Sequence, residues 1–239
     1  MNATRESPAL FCLDVRLAFQ DLSDEKLDRL AATLPKARFE KYARLRAREA
    51  RERSLGASLL LTRLLPSAAD ELRIGEFGKP YLPDGPYFSL THSGALAALA
   101  VSERAPIGCD AQRRDEKINP VLVAKATFHP KELARTLAAP PEERANVFYT
   151  LWTLKESYVK ALGVSFATVA RRFAVEPRDD GTAIVVDALD VDAQYRNRGD
   201  EARFYYRRDV ARDAYLAVCS FASLDSLRVR ELTRDDLFD

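Results

Sequence analysis

Cysteine, histidine and long apolar runs are all scarce in this chain of 239 residues. The three cysteines, Cys12, Cys109 and Cys219, lie far apart, which excludes a disulfide scaffold and a cysteine-based zinc cluster. The longest apolar stretches are about seven residues, too short for a membrane-spanning helix. A formal net charge of only +1 argues against a molecule that binds polyanions over its whole surface. The opening "MNATRESPALFCLDV" has no basic segment leading into a long apolar region and no cleavage-like end; a cytoplasmic protein is the default expectation.

What is present suits an ordinary globular fold. Hydrophobic residues make up 47% of the chain, with 12 Phe and 9 Tyr, enough to bury a substantial core as one domain or two closely packed halves. Charge is less even than the total suggests. Residues 36–53, "KARFEKYARLRAREARER", carry eight basic and three acidic side chains, a local excess of +5. Such a stripe could meet nucleic-acid phosphates, the phosphates of a small cofactor or an acidic partner; it could equally be a solvated helix face.

The hydrophobic pattern reads as α+β. A strand is expected over 10–17, a short helix over 22–32, and a long helix from Pro35 to about Leu65. "ELRIGEF" reads as a strand, whereas "GKPYLPDGPYFSLTHSG" is punctuated by glycine and proline and reads as turns with exposed backbone. "ALAALAVSE" and "APIGCD" follow as strands, then helices over 130–137 and 142–161. "RRFAVE", "TAIVVDA", "ARFYYRR" and "AYLAVCSF" supply late strands. No linker and no internal repeat is visible.

Two acidic residues stand out. Asp110 follows an expected strand and Gly108, which permits close approach of another backbone or a ligand; an ordinary turn aspartate would look the same. Trp152, Glu156 and Lys160 share one helix face at four-residue spacing, as an exposed ion pair also would. Asp110 and Glu156 together, with water and phosphate oxygens, would suit Mg²⁺, a hard cation that keeps part of its water shell. Thr91 and His92 in "SLTHSG" fit a turn or direct bonding to phosphate. His129, before Pro130, fits a helix cap or a surface position.

These segments together resemble the 4'-phosphopantetheinyl transferase family, in its larger single-chain class with two pseudo-symmetric halves. The resemblance runs through "FGKPYLP", "FSLTHSG", "PIGCD" and "FYTLWTLKESYVKALG", more weakly through "RERSLGASLLL", and covers most of residues 35–166. The joint G-x-D and W-x-x-K-E-S-x-x-K pattern is its specific part.

The resemblance implies two α+β halves, each with a small antiparallel sheet packed by a long helix, divided near residue 105 into 1–105 and 106–239. It implies transfer of the 4'-phosphopantetheine arm of coenzyme A to a serine of an apo acyl or peptidyl carrier protein. Asp110 and Glu156 would hold Mg²⁺, Glu156 would also take the serine proton, and Lys160 would offset phosphate charge with Lys155 nearby. Arg53, Lys79, Thr91 and His92 would contact the coenzyme A phosphates, with Arg38 and Lys41 near the 3'-phosphate. The expected partners are the carrier and coenzyme A, with no nucleic acid and no membrane, for a monomer.

One position departs from the pattern. Gln112 stands where relatives often carry a second acid, and a neutral amide can bind a metal or its water only without charge. A coenzyme A binder with weakened transfer is therefore the first competing reading. RNA binding through the basic helix is the other, although no GXXG loop, RNP-like aromatic strand or zinc spacing accompanies it.

Overall fold

The computed structural model describes residues 7–187 and 201–238; the last residue of the expected strand over 182–188 lies outside them. Strand β1 (Ala9–Asp14) turns directly into helix α1 (Val15–Phe19). The Asp14 carboxylate accepts the Arg16 and Leu17 amides, an N-cap that ends the strand before residue 17. Helix α2 (Asp24–Ala31) begins at Ser23, whose hydroxyl accepts the Lys26 amide.

The single helix expected from Pro35 to Leu65 is two, α3 (Lys36–Ala43) and α4 (Arg48–Leu64). No proline or glycine causes the break. Tyr42 instead bonds Asp28 at 2.8 Å with the Arg51 guanidinium over its ring. Arg48 binds Asp24, Glu52 and the carbonyls of Phe19 and Leu22. Contacts to the α1 and α2 segment thus override helix propensity.

Of the strand expected over 71–77 only β2 (Arg73–Ile74) forms, and it pairs with β3 (Pro80–Tyr81) as a short ribbon. Strand β4 (Tyr87–Ser93) occupies a segment read as turns, and β5 (Leu96–Ser102) and β6 (Ile107–Arg113) follow as expected. Helix α5 (Pro120–Thr127), not anticipated, precedes α6 (Pro130–Ala138), α7 (Arg144–Leu162) and the short α8 (Phe166–Val169). Strands β7 (Ala174–Pro177), β8 (Ala183–Val186), β9 (Arg203–Asp209) and β10 (Ala214–Ser220) match the late apolar segments. Strand β11 (Arg228–Leu232), also unanticipated, and α9 (Asp235–Phe238) end the described chain.

Pairing exposes a repeat that the amino acids conceal. One sheet contains the order β1-β5-β4 and the other β6-β10-β9. In each, the first strand pairs with the last of its half, and a long helix and a two-stranded ribbon come between. The fold is α+β with two such halves. Strand β11 returns to the first sheet, parallel to β1 with Ala9 opposite Arg228.

Three apolar layers hold these parts. Leu55, Leu59 and Leu60 of α4 pack with Leu13, Phe19 and Leu99. Phe148, Leu151, Leu154 and Tyr158 of α7 pack with Phe173 and Phe204. Between the sheets, Leu10 and Leu96 meet Ile107, Leu216 and Val218. Burial of this kind contributes roughly 25 cal/mol per Å² of apolar surface.

At the seam, β4 and β6 are joined through alternate side chains. Cys109 Sγ donates to the Ser89 carbonyl at 3.0 Å, the Ala111 amide to Thr91 Oγ1 at 3.1 Å, and the Arg113 amide to Ser93 Oγ at 2.9 Å. The period of two brings Ser89, Thr91 and Ser93 to the same edge.

Candidate active site

Gly108 determines how near α7 can come to β6. A Cβ built there would lie 2.0 Å from the Ser157 carbonyl oxygen and 2.4 Å from the Ala161 nitrogen, so the helix backbone rests directly on the strand. Strand alternation then puts Asp110 and Gln112 on the same face as Gly108, toward the helix. One helical turn separates Glu156 from Lys160 on the facing element.

The cluster that results is charged, with Asp110 buried and Glu156 and Lys160 half-buried. Lys160 Nζ lies 2.6 Å from Asp110 Oδ1, and Thr91 Oγ1 donates to the same oxygen over a long 3.4 Å. Asp110 Oδ2 is buried and finds no hydrogen-bond partner among the described residues. Burial pushes the Asp110 carboxyl above its ordinary range, and Lys160 works against that shift. Burial also opposes charge on Lys160, but Asp110 and its other neighbours hold the ammonium above its ordinary value. Glu156 is pushed up to about 7 by burial and then by the charge of Asp110.

Two mutually repelling carboxylates, one with an orphaned oxygen, are a donor set that fits a hard divalent cation. Gln112 is half-buried, with its amide nitrogen donating to the Arg113 carbonyl at 3.3 Å. Among the described residues, no group of three or more histidines, cysteines or acids gathers into a metal cluster. A cation here would rely on Asp110, Glu156, neutral groups and water.

A cleft of about 350 Å³ is lined in part by Arg38, Lys41, Gly78, Pro80, Leu90 and His92, and its His92 feels the charge of Lys160. Burial pulls the Arg38 guanidinium below its ordinary value. His92 keeps contact with solvent, yet crowding by the cleft walls and the positive charges of Lys41, Arg53 and Lys160 push it down to about 4. Arg53 is only loosely paired, 3.9 Å from Glu49. Successive residues of β4 point to opposite faces, Thr91 to Asp110 and His92 to the cation-lined cleft.

Two of the residues singled out in the sequence lie elsewhere. Lys155, expected beside the phosphates, points into the core on another side of α7. Its ammonium is 0% exposed, 2.8 Å from Glu132 and 2.7 Å from the Phe173 carbonyl. A helical offset of one residue from Glu156 turns it about 100° away. Lys79 donates to the carbonyls of Ile107 at 3.0 Å and Lys160 at 2.5 Å. Thr91 uses its one hydroxyl hydrogen on Asp110.

Sequence reasoning missed Glu132, which accepts from Lys155, the Val175 amide and the His129 amide. The signal was there as a capping box: His129 caps α6 as expected, and Glu132 completes the cap three residues later. The alternation of Ser89, Thr91 and Ser93 was a second signal, hidden by the turn-like composition around it.

Paired carboxylates with a lysine, in a molecule that also has a cation-lined cleft, form an arrangement suited to phosphoryl transfer, which depends on positioning and charge stabilisation. Residues 106–219 match the 4'-phosphopantetheinyl transferase superfamily. A 4'-phosphopantetheinyl transferase of Bacillus subtilis is 30% identical over 207 residues, covering 83% of this chain and 87% of that protein. The transferase Sfp of Bacillus subtilis strain 168 is 31% identical over 170 residues, covering 67% and 74%. AcpT of Escherichia coli K12 is 38% identical over 117 residues, covering 48% and 60%. The chain belongs to the 4'-phosphopantetheinyl transferase family, in its larger Sfp-like class, and is an enzyme of that activity. That family uses coenzyme A and Mg²⁺ and acts on carrier proteins.

Proposed function

We propose that this enzyme moves the 4'-phosphopantetheine group of coenzyme A to a serine hydroxyl of an apo acyl or peptidyl carrier protein. The serine oxygen forms a bond to the β-phosphorus of coenzyme A. The bond from that phosphorus to the bridging oxygen breaks, and adenosine 3',5'-bisphosphate leaves. The observation that carries this reading is the contact of Asp110 with Lys160, with Glu156 close enough to feel the charge of both.

Residue roles follow from chemistry. Glu156 would accept the serine proton, directly or through a bound water. Asp110 and Glu156 would hold Mg²⁺, with Gln112 contributing an oxygen directly or through water. Mg²⁺ when bound would supply positive charge to the pyrophosphate oxygens. Lys160 bonds Asp110 in the ligand-free state and is positioned to offset charge on the transferred and departing phosphates. Arg38, Lys41, Arg53 and His92 would receive the nucleotide phosphates of coenzyme A, which gives the +5 segment a short polyanion as its ligand.

Functionally, residues 1–105 would supply most nucleotide contacts and residues 106–239 the catalytic cluster. One chain contains both, and we propose that it acts as a monomer. Intact-protein mass spectrometry on a panel of apo carriers, with coenzyme A and Mg²⁺, tests the reading. Addition of one phosphopantetheine group at serine is expected. A folded enzyme that binds coenzyme A but modifies no carrier would instead favour a weakened, binding-only protein.

A further inference from the structure

Lys79 belongs to the first half of the molecule, immediately before β3, yet its side chain ends in the second half. Its ammonium donates to the carbonyl of Ile107, at the start of β6, and to that of Lys160, in the last turn of α7. The last carbonyls of a helix lack intrahelical partners. Gly163, left-handed at φ +73, ends α7. The Val164 amide, which would serve Lys160 if the helix continued, turns back to Val159 instead. Lys79 thus takes up a carbonyl that the helix leaves unserved.

The charge also has the right sign for its place, since a cation at a helix C-terminus faces the negative end of the backbone dipoles. The stem runs past Gly163, where an added Cβ would sit 3.9 Å from Lys79 Cδ. Gly78 and Pro80, on either side of Lys79, line the cationic cleft. A single side chain therefore connects the cleft wall, the strand bearing Asp110 and the helix bearing Glu156 and Lys160.

We propose that Lys79 is a positioning residue, a C-terminal cap supplied to α7 by the other half of the molecule, and not a ligand of the coenzyme A phosphates. It acts through α7, fixing the height of Glu156 and Lys160 against Asp110 and their distance from the cleft. The consequence for turnover rests on the transferase reading above. The cap itself does not.

Lys79→Met keeps the stem and removes the ammonium, while Lys79→Gln keeps a donor able to reach a carbonyl. Hydrogen exchange of the ligand-free proteins should show faster exchange at residues 161–164 in Lys79→Met, with partial recovery in Lys79→Gln. Turnover at saturating coenzyme A should fall about tenfold or more in Lys79→Met, as expected when reacting groups shift by a fraction of an ångström to an ångström. A phosphate ligand would behave differently: its loss would weaken coenzyme A binding, leave ligand-free α7 unchanged and be overcome by saturation. That pattern would overturn the proposal, as would unchanged exchange in a folded Lys79→Met protein. If Lys79→Met does not fold, comparison of Lys79→Gln with the wild type gives the same two readouts. A wild-type protein that modifies no carrier would defeat the transferase reading while leaving the exchange measurement to judge the cap.

Discussion

Lys160 and Asp110 meet at 2.6 Å through one carboxylate oxygen, while the other, Oδ2, is buried and finds no hydrogen-bond partner among the described residues. A buried oxygen left in this way costs stability, and a cation bound between Asp110 and Glu156 would satisfy it. Burial and then the charge of Asp110 raise the neighbouring Glu156 to about 7.

That shift has a testable effect on stability. The folded-state pKa of about 7 lies above the ordinary 4.5, so between these values the folded protein holds a proton that the unfolded chain releases. The contribution is fully present below the ordinary value and is lost as pH rises through about 7. Ligand-free protein should lose melting temperature across that window, Glu156→Gln should flatten the loss, and Mg²⁺ should reduce it in the wild type. Thermal scans at several pH values check all three; an identical pH dependence in Glu156→Gln would assign the shift elsewhere.

Gly108→Ala should be among the most damaging small substitutions. Its methyl group would meet backbone on α7, at 2.0 Å from the Ser157 carbonyl oxygen, where no flexible side chain can yield. Overpacking of this kind costs roughly 1–3 kcal/mol or more, and turnover should fall with it because Asp110 and Lys160 are pulled apart. A denaturant titration together with an activity assay reads both effects. Unchanged stability would mean that α7 does not rest on β6 as described.

Spacing alone did not single out this site: Asp110 read equally as a turn aspartate, and Glu156 with Lys160 as an exposed ion pair. The family resemblance joined the two segments, and the packing of α7 on Gly108 brings Lys160 to Asp110. Lys155 was misjudged because a sequence places it next to Glu156 without saying which side of α7 is core; only the docking of α6, with Glu132, decides that. The break between α3 and α4 was invisible for a similar reason, since Tyr42 and Arg48 act through partners on α1 and α2. The repeated strand order escaped notice because pairing topology can be kept by any residues of suitable polarity. Strand β11 lies more than 200 residues from its partner β1, a distance at which local pattern carries no information.

Arg53→Ala should weaken coenzyme A binding with little change in turnover at saturation. Loss of one charge-assisted bond, about 1.5–3 kcal/mol, corresponds to a roughly 10- to 150-fold rise in the dissociation constant. Calorimetric titration with coenzyme A measures it directly. Unchanged affinity would remove Arg53 from the ligand site.

Gln112→Glu adds a negative charge on the strand face that carries Asp110. The Mg²⁺ concentration giving half-maximal activity should fall, by roughly 3- to 10-fold, because ligand charge raises affinity for a hard cation. Folding should be unaffected at this half-buried position. A higher Mg²⁺ requirement would show that residue 112 does not face the metal.

The most direct test compares the wild type and Glu156→Gln in a time course of carrier mass at saturating coenzyme A and Mg²⁺. The amide cannot take up the serine proton, and loss of a general base costs about 10²- to 10⁴-fold in rate. The wild type should convert the apo carrier to its phosphopantetheinylated form, while Glu156→Gln, folded and at least as heat-stable at pH 8, should convert almost none. Near-normal conversion by Glu156→Gln would contradict the assignment of the transfer to the cluster of Asp110, Glu156 and Lys160.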